Sequence, residues 1–370
     1  MADKCRSKMG ILNWEKNMAE EKQPHQRRPH YKGRYPRNFA EKYKELNPEK
    51  YGDTIDKVEE KGSTPAGMHI PIMVKEIVDF LHIKPGQQGL DATLGYGGHT
   101  RAMLEQLQAQ GHLYATDVDP IESAKTKLRL AKAGYEDNIL TVKLMNFAKI
   151  DQLVTEVGPF DFLLADLGVS SMQLDNPERG FSYKTNGPLD LRMNPLKGVT
   201  GAQRLQELEQ DELEGMLREN SDEPYAEKIA KVIWQDLRNK KSIETTRELR
   251  QEVAKALEFL PKGERQEAIK KSSARTFQAL RIDVNNELEV LYTFLVKLPY
   301  AMKPNGRIAI LTFHSGEDRL VKKAFKAFLQ TGEFSAISDH VIRPSLEECR
   351  RNPRAHSTKL RWAIKTDHLT

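Results

Sequence analysis

The chain has 370 residues, 38% of them hydrophobic and 30% charged, which predicts two domains plus a tail and enough apolar matter for a sizeable core. Two cysteines, Cys5 and Cys349, are too few for a disulfide framework or a four-thiolate zinc site, and no stretch is apolar over the length of a bilayer span. Lys4, Arg6, Lys8, Glu15 and Lys16 interrupt any signal-peptide core, so a reducing cytoplasm is the expected compartment.

The net charge of +5 is unevenly spread. Residues 1–66 hold 15 Lys/Arg against 11 Asp/Glu, and the rest of the chain is nearly neutral. Between residues 24 and 44, seven basic residues face only Glu41 and are interleaved with tyrosines. Such an arm suits a polyanionic partner, because Arg and Lys pair with phosphates and Tyr stacks on bases. A solvated tail without a partner fits the charge equally well.

From Gly67 the pattern changes. Residues 88–94, 112–117, 139–145 and 160–166 read as strands. Stretches 100–110, 121–133 and 147–157 between them read as helices. This alternation predicts a parallel sheet covered on both faces. Residues 173–272 break the rhythm. A loop rich in Pro, Gly and Asn spans 175–198, and three helices follow. The first carries Leu205, Leu208, Leu213, Met216 and Leu217. The second carries Ala226, Ile229, Ala230, Ile233 and Leu237, with Pro224 near its first turn. The third carries Leu249, Val253 and Leu257 and opens on a Thr245/Glu248 capping box. Phe277, Leu280, Val284, Leu288, Leu291 and Leu295 then predict one long helix. Pro304-Asn-Gly predicts a turn, 307–313 a fifth strand, the stretch around Leu320, Val321, Ala324, Phe325 and Phe328 a helix, and 359–365 a last strand. The expected organisation is a basic arm (1–66), one α/β domain in two pieces (67–172 and 273–370) and a helical insertion (173–272).

Open parallel sheets bind ligands beyond the C-terminal ends of their strands. The first strand runs into Gly95-Tyr-Gly97-Gly98-His99, a glycine turn that lets backbone approach a ligand. Thr100 stands where a dinucleotide fingerprint needs a third small residue, which argues against a nicotinamide cofactor. The second strand ends in Asp117, at the distance that places an acid on ribose hydroxyls. Asp119 competes for that role, and either acid has the alternative of capping the following helix. The fourth strand ends in Asp166 and the fifth leads to His314. These features suit an adenosyl cofactor without pyrophosphate, and S-adenosylmethionine fits.

At these motifs the chain resembles the MraW/RsmH family of small-subunit (16S) rRNA cytosine-N4 methyltransferases, over about residues 68–361. The signatures are Asp91-Ala-Thr-Leu-Gly-Tyr-Gly-Gly-His-Thr, Asp166-Leu-Gly-Val-Ser-Ser-Met-Gln-Leu, Glu178-Arg-Gly-Phe-Ser, Gly187-Pro-Leu-Asp-Leu-Arg-Met, Ala274-Arg-Thr-Phe-Gln-Ala-Leu-Arg-Ile-Asp-Val-Asn-Asn-Glu-Leu, Thr312-Phe-His-Ser, Glu317-Asp-Arg and Asn352-Pro-Arg-Ala. The resemblance implies a methyltransferase-type Rossmann-like fold with a helical insertion. It implies cofactor contacts at Gly97, Gly98, His99, Asp117, Phe147, Asp166 and Gln173, beside the Gly95 turn, and methylation of a cytidine in the ribosomal decoding region. The chain departs from the family's usual residues at Met172, Gly316 and His356 and around Ser272-Ser273.

An exocyclic amine is a poor nucleophile and must be aligned with the methyl donor and relieved of a proton. Asp166 is the expected proton acceptor, and His314 a positioning group or relay. No cysteine lies near a predicted strand end in the core, which argues against covalent attack through cytosine C5, and the chemistry asks for no metal. The base must leave its stack. Tyr183 is a candidate to stack on it, while Phe181 is better placed to pack the loop against the insertion. Arg179, Arg192, Arg275, Arg281, Arg354 and Arg361 are the expected RNA contacts. Lys270 and Lys271, and Arg343, Arg350, Arg351 and Lys359, complete two basic groups. The expected partner is small-subunit rRNA or an assembling 30S subunit rather than a membrane, and a homodimer is compatible with the sequence. Competing readings are the same fold acting on another RNA, DNA or protein, and a non-catalytic assembly factor.

Overall fold

The computed structural model describes residues 71–367, and the basic arm lies outside the described residues. The chain enters through α1 (Val74–Leu81), whose Ile77 and Leu81 face inward. It then alternates: β1 (Gln88–Asp91), α2 (Gly98–Leu107), β2 (His112–Asp117), α3 (Pro120–Lys132), β3 (Leu140–Leu144), a 3-10 turn (Phe147–Lys149), α4 (Ile150–Val157) and β4 (Phe160–Asp166). A short helix, α5 (Ser171–Asp175), leads into the insertion. There α6 (Gly201–Glu207), α7 (Gln210–Ser221), α8 (Ala226–Arg238) and α9 (Thr246–Ala256) precede the 24-residue α10 (Lys262–Asn285). The α/β rhythm returns with α11 (Glu287–Ala301), β5 (Met302–Thr312), α12 (Ser315–Gln330), β6 (Phe334–Ile337), α13 (Leu346–Arg351) and β7 (Lys359–Lys365).

The strands form a seven-stranded sheet in the order β3-β2-β1-β4-β5-β7-β6. β1 to β5 are parallel, and β7 runs antiparallel to both β5 and β6. Each parallel step needs a crossover helix, and the helices supply cover for both faces. β4 shows why Phe162 to Ala165 read as an unbroken apolar run. Leu163 and Ala165 face a core shared with Leu153, Phe294, Leu298, Val321 and Phe325. Phe162 and Leu164 face the other, with Ile77, Leu81, Met103, Leu104 and Leu107. Both faces are dry, so both residue sets must be apolar. This is the methyltransferase-type Rossmann-like sheet that the resemblance implies.

The insertion has its own core, built from Leu205, Leu213, Leu217, Ile229, Ile233, Leu249, Val253 and Phe277 among others. The Thr245/Glu248 capping box forms as expected. Three expectations differ. The first insertion helix is two helices, because Leu208 is extended and Glu209 starts a new cap. The single long helix expected over 277–295 is broken at Asn286, which takes the left-handed conformation (φ 51°) and turns the chain. The expected boundary at 272/273 falls inside α10, which carries Ile269 and Phe277 in the insertion core and continues to the sheet edge. β6 and α13, too short for a periodic signal, were not expected.

Leu163 is fully buried at the centre of β4. Leu163→Ala should lower unfolding stability by about 2–5 kcal/mol in chemical denaturation, since it leaves a cavity under the central strand.

Candidate active site

The strand ends β1, β2, β4 and β5 open onto one cleft of about 810 Å³, walled on its far side by the loop after α5 and by α10. The glycine turn forms its floor. Gly95 and Gly97 have φ of 47° and 77°, and a Cβ on Gly97 would stand 2.8 Å from the Thr126 methyl. Substitution there is strained both by backbone and by space. Asp91 is not open to a ligand: it is buried, accepting from the Thr100 hydroxyl at 2.6 Å and the Thr93 amide at 3.0 Å, and so ties the turn to α2.

The two candidate acids after β2 separate cleanly. Asp117 lines the cleft and accepts the Gly95 amide at 2.8 Å and the Asp119 amide at 2.9 Å. Burial pushes its carboxyl up to about 6 despite those bonds. Asp119 points away from the cleft. Its Oδ1 caps α3 by accepting from Ile121 and Glu122, and its Oδ2 accepts from Gln173 at 2.9 Å and Arg179 at 2.7 Å. Burial alone would raise the Asp119 carboxyl; the Arg179 guanidinium outweighs it and holds the group low. The geometry thus leaves Asp117 facing the cleft and gives Asp119 the cap.

Asp166 sits at the mouth of β4. Its side chain is 29% exposed, and its Oδ2 lies 3.5 Å from Nδ1 of His99, whose Nε2 contacts the Ile72 carbonyl at 2.9 Å. Its Oδ1 is buried and has no hydrogen-bond partner among the described residues. Burial pushes this carboxyl up to about 6 against the pull of His99, with the charges of Asp91 and Glu317 adding to the rise. Phe147 lines the cleft and meets Phe294 edge-on at 4.9 Å. Gln173 also lines it, but both ends of its amide are engaged, by Asp119 and by the Ser170 amide.

His314 caps α12 and lines the cleft. Its Nε2 approaches Glu317 Oε1 at 3.2 Å, and Glu317 Oε2 accepts the Phe313 amide at 2.8 Å. Burial would raise Glu317, but the His314 ring, that amide and Arg281 together hold it low. Gly316 keeps this ring uncrowded, since a Cβ there would stand 3.1 Å from Nδ1. Arg281 makes a two-pronged pair with Glu287, at 2.7 and 2.9 Å. Glu287, His314 and Glu317 lie close enough to hold a cation, but Glu287 is already paired with Arg281.

The expected RNA contacts are mostly engaged within the fold. Arg179 is a correction: it is only 9% exposed, joined to Asp119 and to the carbonyls of Arg192 and Met193, and so out of reach of a phosphate. Arg192 pairs with Asp190, Arg354 with Asp175, and Arg361, itself buried on β7, with Asp318. Arg192, Arg281 and Arg354 nonetheless line the cleft, whereas Arg275 lies away from it, 3.8 Å from Glu223. Tyr183 packs in the insertion, 6.1 Å from the Phe277 ring and under Arg250, and Phe181 is buried there too. Lys149 and Lys197 at the cleft rim were not singled out from the sequence; only the fold brings them to the rim.

A Rossmann-like sheet with a glycine turn, a recessed acid on β2 and a carboxylate at the end of β4 defines the methyltransferase class. The MraW methylase family matches residues 66–366, so the chain belongs to that family. Relatives named ribosomal RNA small subunit methyltransferase H 1 are 64% identical in Agathobacter rectalis, over 95% of this chain and all of that one, and 63% identical in Lachnoclostridium phytofermentans, over 94% and 95%. One named ribosomal RNA small subunit methyltransferase H, from Koribacter versatilis, is 36% identical over 80% of this chain and 94% of its own.

A carboxyl raised in the fold is protonated before its unfolded counterpart, so its contribution to stability falls as pH rises from about 4 to about 6. Asp166→Asn removes that decline. Its stability relative to the wild type should therefore increase by about 1–2 kcal/mol between pH 4.5 and 7.5, discounted for the exposed part of the group, as thermal denaturation would show. An equal difference at both pH values would mean that the carboxyl is not raised.

Proposed function

We propose that this chain methylates the N4 amine of a cytidine in the decoding region of small-subunit rRNA, with S-adenosylmethionine as methyl donor, and that it works in the cytoplasm on small-subunit rRNA or the assembling 30S subunit. The observation that carries this reading is Asp166: a carboxylate at the centre of the cleft with one buried oxygen that no described group bonds. An unpaired buried acceptor is costly unless a ligand completes it. Family membership and the relatives' names support the substrate class.

The residues fit an adenosyl donor. The glycine turn leaves room for backbone to approach it, Asp117 keeps lone pairs for the two ribose hydroxyls, and Phe147 offers an apolar ring at the end of β3. When bound, the donor supplies an electrophilic methyl group on a sulfonium. A cleft of this volume also has space for an extruded base beside it.

The chain's own work is alignment and proton transfer. The cytosine amine is weakly nucleophilic because its lone pair is delocalised into the ring. The Asp166 carboxylate accepts one of its N–H bonds, which turns the lone pair toward the methyl group and gives the departing proton a destination. A carboxyl titrating at about 6 is largely ionised at neutral pH yet basic enough to take that proton. His99, within 3.5 Å, holds the carboxylate in place, and His314 with Glu317 closes the opposite side of the cleft. Arg192, Arg281 and Arg354 line the acceptor half, where exchange of their present partners for phosphate or base oxygens is the remaining route for them to contact RNA.

The test is transfer of labelled methyl to small ribosomal subunits, to naked DNA and to protein. Transfer to subunits alone is expected. Asp166→Asn should cut turnover by roughly 10²–10⁴-fold with little change in cofactor affinity. Asp117→Asn should instead weaken cofactor binding and abolish its loss below pH 6 in calorimetry. Subunit methylation that survives Asp166→Asn would remove Asp166 from the chemistry.

A further inference from the structure

Arg179 comes from a loop expected to touch RNA, yet its guanidinium is one of the few buried charges of the described residues. Its Nη1 donates to Asp119 Oδ2 at 2.7 Å, on the loop that follows β2. Its Nη2 donates to the carbonyls of Arg192 at 2.9 Å and Met193 at 2.8 Å, in the loop that walls the acceptor half of the cleft. Its own carbonyl accepts the Leu191 amide at 3.1 Å. That wall needs holding. Leu191 has φ 64°, a left-handed conformation that a leucine adopts only when its surroundings impose it. The second anchor is Asn285 at the end of α10, which accepts the Met193 amide at 2.7 Å and donates to the Leu191 carbonyl at 2.8 Å.

We infer that Arg179 is a positioning residue, which builds the acceptor wall by fastening the 191–193 backbone to the cap of α3. This rests on the proposed rRNA reaction and adds to it the group that shapes the base-binding half of the site. A planar guanidinium presents donors in a fixed fork and reaches the carboxylate on one side and two carbonyls on the other, which a single ammonium does not reproduce. The cofactor half is less directly tied to it: Gln173 shares Asp119 Oδ2 with Arg179 but keeps that acceptor when Arg179 is lost. Asp117 takes its own bonds from Gly95 and from the Asp119 backbone, not from the Asp119 carboxylate. Loss of Arg179 therefore loosens the acceptor wall and leaves the ribose acid in place.

Four readouts, on full-length Arg179→Lys and, for the salt dependence, on Arg179→Gln, separate this role from a phosphate contact or a general loss of structure. S-adenosylmethionine affinity by calorimetry should stay within about 3-fold of wild type. kcat/KM for small subunits should fall at least 10-fold, the scale of a misplaced reactant. In Arg179→Gln, which removes the charge, the salt dependence of subunit binding should keep its slope, because no phosphate contact is lost. Tryptic cleavage after Lys197, in the same loop, should become faster. A salt slope shallower by about one in Arg179→Gln, which removes the charge, would make Arg179 a phosphate ligand and overturn the proposal. So would parallel losses of cofactor affinity and turnover, or turnover within 2-fold of wild type. If Arg179→Lys does not fold, Asn285→Ala removes the other anchor without stranding a buried charge; it should give the same split, and unchanged turnover and cleavage would contradict the account. A wild-type protein inactive on small subunits would count against the proposed reaction, while the cleavage rate after Lys197 would still decide the anchoring role.

Discussion

The parallel pairing of β4 between β1 and β5 is the constraint on which the site depends. It sets Leu164 beside Asp91 and Leu311 beside Asp166, so the carboxyl ends of the central strands finish along one edge. The edge turns polar at its last residues, while Phe162 to Ala165 behind Asp166 are buried between two helical layers. Carboxylates placed there are desolvated, and the structure deals with each differently. Asp91 is satisfied inside the fold by Thr93 and Thr100. Asp119 is neutralised by Arg179. Burial raises Asp91 too, but only Asp117 and Asp166, raised to about 6 each, face the cleft. Unequal satisfaction of similar acids is what distinguishes ligand-facing groups from structural ones.

The insertion completes what the sheet begins. A single helix, α10, belongs to both bodies: Phe277 and Leu280 lie in the insertion core, while Gln278, Arg281 and Asn285 reach the cleft. The acceptor wall is thus built on a long rigid element and pinned at a loop, which combines an accurate frame with an adjustable rim.

Much of this was legible in the sequence. Strands β2, β4 and β7 match the expected bounds, because each is a short stretch rich in apolar residues whose last residue is charged. The glycine turn, Asp117, Asp166 and His314 were found by their place after strands, and all line one cleft. Local signals failed where a backbone conformation is decided by long-range contacts. The break at Asn286 hides inside a regular apolar period, and Leu208 interrupts a stripe that continues across it. The arginines were read by type. Charge in a sequence does not reveal its partner, and Asp119, 60 residues from Arg179, and Asp175, 179 residues from Arg354, are invisible to spacing.

The central claim is that the Asp166 cleft delivers methyl to the N4 amine of a small-subunit rRNA cytidine. Nucleoside mass spectrometry of small-subunit rRNA, from cells with the gene, without it, and with only the Asp166→Asn form, tests that claim most directly. The account predicts N4-methylated cytidine in the first and its loss from the other two. An unchanged level in cells lacking the gene would contradict it.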